Sequence, residues 1–194
     1  MSKFNIYPQL KPQKSSHLFL SQENKKLNDQ LEILNDSNGI DKITGLLNDK
    51  ALRAKIIEQN HDVRSTANKN ITFAYIDLDD LKLKNDSLGH HGGDKYIQSF
   101  ATDLRQHFRE NEYIYRINGS NSDEFGILIE SDQVELISNK LLNFKEKNPN
   151  YNFSIGIKCG SRDQNGNLDL AEIIKQADLQ MLDQKSNKKS NGVK

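Results

Sequence analysis

The run Phe73-Ala74-Tyr75-Ile76-Asp77-Leu78-Asp79-Asp80 is an apolar stretch that ends in three acids, and Lys82, Asn85, Asp86 and the segment Gly89-His90-His91-Gly92-Gly93-Asp94 follow it. Hard divalent cations take carboxylate and carbonyl oxygens, and a strand that stops at acids carries such oxygens to the end of a sheet. Lysine offers charge to phosphate, amide and carboxylate groups can read a base, and glycine lets backbone approach a ligand. Residues 77 to 94 therefore read as a metal and nucleotide-phosphate site, with Asp77 as the best single metal ligand in the chain. A lone D-x-D-D would read as a solvated acidic turn; the company it keeps is what points to chemistry. His90 and His91 are adjacent and diverge, and one cysteine, Cys159, leaves no Cys/His cluster for zinc.

Such a site needs a sheet to present it, and the flanking pattern supplies one. Ile71 to Asp77 reads as a strand, and a helix opening near Asp94 aligns Ile97, Phe100, Ala101, Leu104 and Phe108 on one face. A hairpin follows, Tyr113 to Ile117 and Phe125 to Glu130, then a helix over 132–146 with Val134, Ile137, Leu141 and Phe144 inward. The alternation of Tyr151, Phe153, Ile155, Ile157 and Cys159 marks a further strand, with Cys159 as a buried filler. Asp169 caps a last helix carrying Leu170, Ile173, Ile174, Ala177 and Met181, and Asn48 or Asp49 caps an earlier one over 50–59 with Leu52 and Ile56 inward. The order predicts an α/β (α+β) fold, a mainly antiparallel central sheet with helices on one face. The tail from Ser186 is expected to fray.

Residues 1–16 form an expected flexible leader, 17–39 an amphipathic helix and 40–190 the main domain. Leu20, Leu27 and Leu34 recur every seventh residue, with Asn24 and Leu31 on the same seam. That pattern suits either a short coiled coil pairing two copies or a helix folded back on its own domain. Lys+Arg and Asp+Glu are both 27 in 194 residues, so no global field draws in nucleic acid or an anionic membrane. No apolar run approaches the roughly 20 residues of a membrane helix. With a single cysteine, the expectation is a soluble protein of the reducing cytoplasm.

The segment Asp77-Leu78-Asp79-Asp80-Leu81-Lys82, with Asn85-Asp86, Gly89-His90 and Gly93-Asp94, resembles the first motif block of GGDEF domains, the diguanylate cyclase family. Asp41-Lys42-Ile43-Thr44-Gly45-Leu46 resembles that family's D-x-L-T-G-L opening, Ser122-Asp123-Glu124-Phe125 its signature, and Ala177-Asp178 through Lys185 its closing helix. The resemblance implies a palm-like nucleotidyl cyclase fold and condensation of two GTP into cyclic di-GMP with Mg2+ or Mn2+, by a homodimer in which each site holds one GTP. It also implies metal contacts from Asp77, the Leu78 carbonyl and Asp123, a catalytic role for Glu124 beside Asp123, guanine reading by Asn85 and Asp94, and phosphate contacts from Lys82, Lys185 and Lys189. A product-inhibition site falls on Arg109, Glu112 and Arg116, with an ordinary charged helix end as the alternative. Two further functions stay open: an inactive receptor for GTP or cyclic di-GMP, and a purely structural partner domain.

The signature departs from the family, because Asn118-Gly119-Ser120-Asn121-Ser122 stands in place of two glycines. Asn118-Gly119 is itself a two-residue hairpin signal. Were the chain to turn there and the ladder run on, Asp123 would lie about 10 Å from the tip, outside a metal site. Were residues 118–122 to bulge as a loop instead, Asp123 and Glu124 would keep their places. The register of Phe125 to Ile129 favours the loop.

Overall fold

A computed structural model describes residues 38–61, 70–79, 81–119, 122–131, 134–163 and 168–190. The expected leader, the leucine-bearing helix apart from its last two residues, and Asp80 lie outside the described residues. The elements run α1 (Asp49–His61), β1 (Ile71–Leu78), α2 (Leu81–His107), β2 (Tyr113–Ile117), β3 (Glu124–Ile129), α3 (Val134–Lys147), β4 (Phe153–Gly160) and α4 (Leu170–Ser190). The sheet order is β2-β3-β1-β4 and every pairing is antiparallel. Asn48 Oδ1 accepts the Lys50 and Ala51 N–H groups at 2.9 and 3.3 Å, and Asp169 Oδ1 accepts that of Glu172 at 3.0 Å, so the two expected caps form.

All eight residues of β1 are buried. Successive side chains on a strand point to opposite faces, so a strand without a solvated face needs cover on both. Ala74, Ile76 and Leu78 pack with Ile97, Phe100 and Leu104 of α2 and with Ile137, Leu141 and Phe144 of α3. Ile71, Phe73 and Tyr75 instead join Leu52 of α1 and Leu170, Ala177 and Met181 of α4. The expectation of helices on one face is thereby corrected to helices on both. Phe100 centres the first face, 4.9 Å from the Phe125 ring and 5.2 Å from that of Tyr151.

On the second face, α4 lies so close to β4 that a Cβ at Gly156 would stand 1.9 Å from the Ala177 carbonyl oxygen. The same helix closes the outer edge of β4: Gln180 and Gln184 side-chain oxygens accept the Ile157 and Ile155 N–H groups at 3.0 and 2.6 Å. Those bonds fix where α4 sits along the strand, and with it Lys185 and Lys188. The opposite edge is bridged too, Arg116 N–H donating to Leu47 O at 2.8 Å and Leu47 N–H to Ile114 O at 3.3 Å.

Three further expectations change. Cys159 is exposed rather than buried, one residue from the end of an edge strand, with the Ser131 carbonyl at 4.0 Å. The tail stays helical to Ser190, because Lys185 and Lys188 anchor it to the sheet. Helix α2 begins at Leu81, with a break at Gly89 where φ is 71° and ψ 171°. Among the described residues no helix is long and apolar enough to cross a membrane.

Candidate active site

At the end of β1, Asp77 lies opposite Glu124 on β3 and Ser154 on β4. Cross-strand partners share a face, and the parity of Asp77 with Phe73 and Tyr75 makes this the face that α4 covers. The hairpin forms the longer connection: Ile117 pairs with Glu124, so residues 118–123 join β2 to β3 as a loop. Asn118 and Gly119 do take left-handed conformations, φ 61° and 89°, as Asn-Gly pairs readily do. They open the loop instead of closing a two-residue turn, and Ser122 N–H returns to Gly119 O at 3.2 Å. Asp123 consequently stays at the sheet end, its carbonyl accepting the Leu78 N–H at 2.9 Å.

The carboxylates here feel one another. Asp77 is 5% exposed, and its Oδ1 takes a 2.5 Å bond from Lys185 Nζ. Burial pushes the Asp123 carboxyl above its ordinary range, and the charge of Asp77 adds to this; its own backbone hydrogen bond and Lys185 pull the other way. Burial alone would lower Lys185, yet the hydrogen bond and charge of Asp77, helped by Asp123 and Asp79, hold it above its usual value. Asp178 of α4, for which the motifs assigned no role, belongs to the same group: burial, then Glu124 and Asp77, raise its carboxyl. The motif from Ala177 to Lys185 marked its helix, whereas its approach to Glu124 and Asp77 across the sheet has no local spacing signal.

Among the described residues no three His, Cys, Asp or Glu side chains form a group able to hold a metal ion. The donor set is smaller, two carboxylates from Asp77 and Asp123 beside the Leu78 main chain. It fits a hard divalent cation, because a buried acid and a half-buried one that repel each other are stabilised by positive charge placed near both. Lys185 meets part of that demand.

Around the break at Gly89, the Asn85 carboxamide rests on the backbone of Gly93. A Cβ there would meet Asn85 Oδ1 at 1.8 Å, so only glycine admits this contact. The kink thus brings Asn85 next to the residue preceding Asp94, which is exposed. Lys82 and Lys189 are exposed as well, and of the three expected phosphate lysines Lys185 is the one paired with Asp77. Lys188, which no motif singled out, donates to Asp79 Oδ2 at 2.9 Å, Phe153 O at 2.6 Å and Ser154 Oγ at 3.0 Å. Asp79 is thereby tied to the sheet.

The expected product-inhibition site is corrected at two of its three positions. Arg116 is 2% exposed; its guanidinium reaches Asp41 Oδ1 and Oδ2 at 3.1 and 3.3 Å and the Ser122 carbonyl at 2.9 and 3.1 Å. Glu112 is 3% exposed and holds the Arg109 N–H at 2.6 Å and the Lys140 ammonium. Both side chains are committed inside the protein, and Arg109 alone stays exposed. Arg116 instead ties the Asp41 turn, in which Asp41 Oδ1 also accepts the Thr44 N–H at 2.8 Å, to the signature loop.

Residues 38–191 match the family model described as diguanylate cyclase, GGDEF domain. The chain is 32% identical over 153 residues to the probable diguanylate cyclase DgcJ of Escherichia coli, covering 77% of this chain and 30% of DgcJ. It is 33% identical over 151 residues to the cyclic di-GMP phosphodiesterase PdeB of Shewanella oneidensis, covering 72% of this chain but 16% of PdeB. The chain therefore spans less than a third of either relative. The crystal structure of the coiled coil and GGDEF domain of DgcB from Caulobacter crescentus, in complex with c-di-GMP, superposes with a TM-score of 0.67 at 18% identity, over 90% of this chain and 94% of that one.

Proposed function

Since the chain belongs to the GGDEF family of diguanylate cyclase domains, we propose that it condenses two GTP into cyclic di-GMP by metal-assisted phosphoryl transfer. The observation that carries this is the meeting of Asp77 and Asp123 beside Lys185, despite the lengthened loop between β2 and β3. Asp77, Asp123 and the Leu78 carbonyl would hold Mg2+ or Mn2+. When bound, that ion would neutralise triphosphate charge and polarise the phosphorus under attack. Lys185 adds a fixed positive charge at the same place, and Lys82 and Lys189 meet the outer phosphates. Asn85 donates to guanine O6 or N3 and Asp94 accepts from N1 and the 2-amino group, a donor pair that adenine lacks. Glu124 helps to organise the attacking 3′-hydroxyl. Each domain offers one such site, so two copies must meet to close the second bond, and the working unit is a homodimer.

One observation favours a silent receptor of guanine nucleotides: Asn118-Gly119-Ser120-Asn121-Ser122 stands where the family's signature has two glycines, whose bare backbone lets a nucleotide approach closely. Incubating the protein with GTP and Mg2+ or Mn2+, followed by nucleotide separation, decides between the two. Cyclic di-GMP from wild type and none from Asp77→Asn is the expected result. GTP binding without product at high protein concentration would make the domain a receptor, and activity surviving Asp77→Asn would remove the metal role from the end of β1.

A further inference from the structure

The loop that replaces the two glycines is built onto Glu124. Asn118 Nδ2 has two hydrogens and two acceptors: the Tyr75 hydroxyl at 2.8 Å and Glu124 Oε2, in a short contact. Ser122 Oγ donates to the same Glu124 oxygen at 3.1 Å and accepts the Glu124 N–H at 3.0 Å. Asp49 in the first turn of α1 fixes the other side, its two oxygens taking the Asn118 and Gly119 N–H groups at 3.0 and 2.9 Å. The left-handed φ of 61° at Asn118 is what aims its carboxamide back at the sheet while its N–H meets Asp49. Asparagine tolerates this conformation better than other residues with a side chain.

Glu124 needs such a hold. It pairs across the strands with Asp77 and follows Asp123 in the chain, so it stands among like charges. A carboxylate in that setting relaxes toward solvent unless donors keep it in place. Tyr75 is buried, and burial with the charges of Glu124 and Asp178 holds its hydroxyl protonated, so it remains a fixed neutral partner for the carboxamide.

We propose that Asn118 is a positioning residue for Glu124, its carboxamide suspended between Tyr75 and the carboxylate and its backbone clamped by Asp49. The loop then supplies by side chains a fixed geometry that a glycine pair has no side chain to supply. This role rests on the cyclase activity proposed above for its kinetic consequence, though not for the contact itself.

Two measurements on the 194-residue chain test it. Asn118→Gly permits the same left-handed backbone and removes the side chain with its carboxamide. It should lower kcat by about tenfold or more with KM within about threefold, since orientation of a group acting on the reacting atoms is expressed in kcat. Asn118→Asp, which sets a carboxylate against Glu124, should lose at least as much. A merely structural loop contact would move KM and stability together instead, and unchanged kcat in Asn118→Gly overturns the proposal. The second measurement is a double-mutant cycle on the urea midpoint with Glu124→Ala. Asn118→Gly should lower the midpoint in wild type and have little effect in Glu124→Ala; equal effects in both backgrounds overturn the proposal. If wild type yields no product with either metal, cyclase activity is refuted, and the cycle alone decides: coupling upholds Asn118 as the residue that places Glu124, and additivity refutes it.

Discussion

Asp77 and Arg116 are both nearly buried and both ion-paired, yet their replacement has different consequences. Asp77→Asn withdraws a ligand charge and leaves Lys185 without its carboxylate. It should reduce cyclic di-GMP formation on the order of 10²-fold or more, as expected when a metal-held charge worth several kcal/mol is lost. Arg116→Met strands Asp41 and the Ser122 carbonyl inside the protein and should destabilise it by about 3–5 kcal/mol in urea titration, with part regained in the Arg116→Met/Asp41→Leu pair. Asp123 reports on the cost of the site. Its carboxyl is raised, so the folded state binds that proton more tightly than the unfolded chain. The ionised form therefore costs stability above the folded pKa, and the cost fades as pH falls through that value and is gone below the unfolded one. Metal-free Asp123→Asn should accordingly melt at a higher temperature than wild type at neutral pH, the difference shrinking toward about pH 4, while its turnover is lost. The place of Asp77 in β1 was legible because an apolar run leads into its acids. The burial of Arg116 was not, since a charged residue in a strand reads as exposed until its partner 75 positions away is seen.

The break in α2 is where the proposed guanine specificity can be tested. Gly93→Ala would drive a Cβ into the Asn85 carboxamide and displace it while leaving the helix intact. Calorimetry should show GTP binding weakened by about tenfold, the cost of one paired contact, and in wild type a preference for GTP over ATP of about the same size. Equal affinity for the two nucleotides would refute guanine reading by Asn85 and Asp94. Periodicity sufficed for the rear of α2, where Ile97, Phe100, Ala101 and Leu104 are all buried as expected, and for the caps at Asn48 and Asp169. It failed for Leu81–Leu88, where Leu83 and Leu88 are 64% and 63% exposed and no apolar face marks a helix. It failed again for the second layer, because β1 is apolar at nearly every position and so gives no alternation from which to count its covers. The Asn-Gly pair, a two-residue hairpin signal in the sequence, takes left-handed conformations without closing that turn, because the bonds of Asp49, Arg116 and Ser122 hold the longer connection.

Two copies must come together for the proposed reaction, and the leucine repeat before residue 39 is the expected means. A chain of residues 38–194 keeps the Gly39 carbonyl that accepts the Asn48 N–H at 2.8 Å and the Ile40–Leu47 bridge, so it retains what anchors the start of the domain. It should sediment as a weaker associate than the full chain; identical association would leave the repeat as a local cover. The capped borders of the sheet bear on how such copies meet. Ile155 and Ile157 spend their outward N–H groups on Gln184 and Gln180, and Leu47 bridges β2 at the other side. Over these residues a visiting chain finds no row of free donors to zip onto, so strand-to-strand fusion is blocked at both borders. Copies are left to meet through helices and loops, contacts that can part again after each product leaves. In the proposed reaction, where a domain finds and releases its twin, these borders keep it from polymerising with that twin.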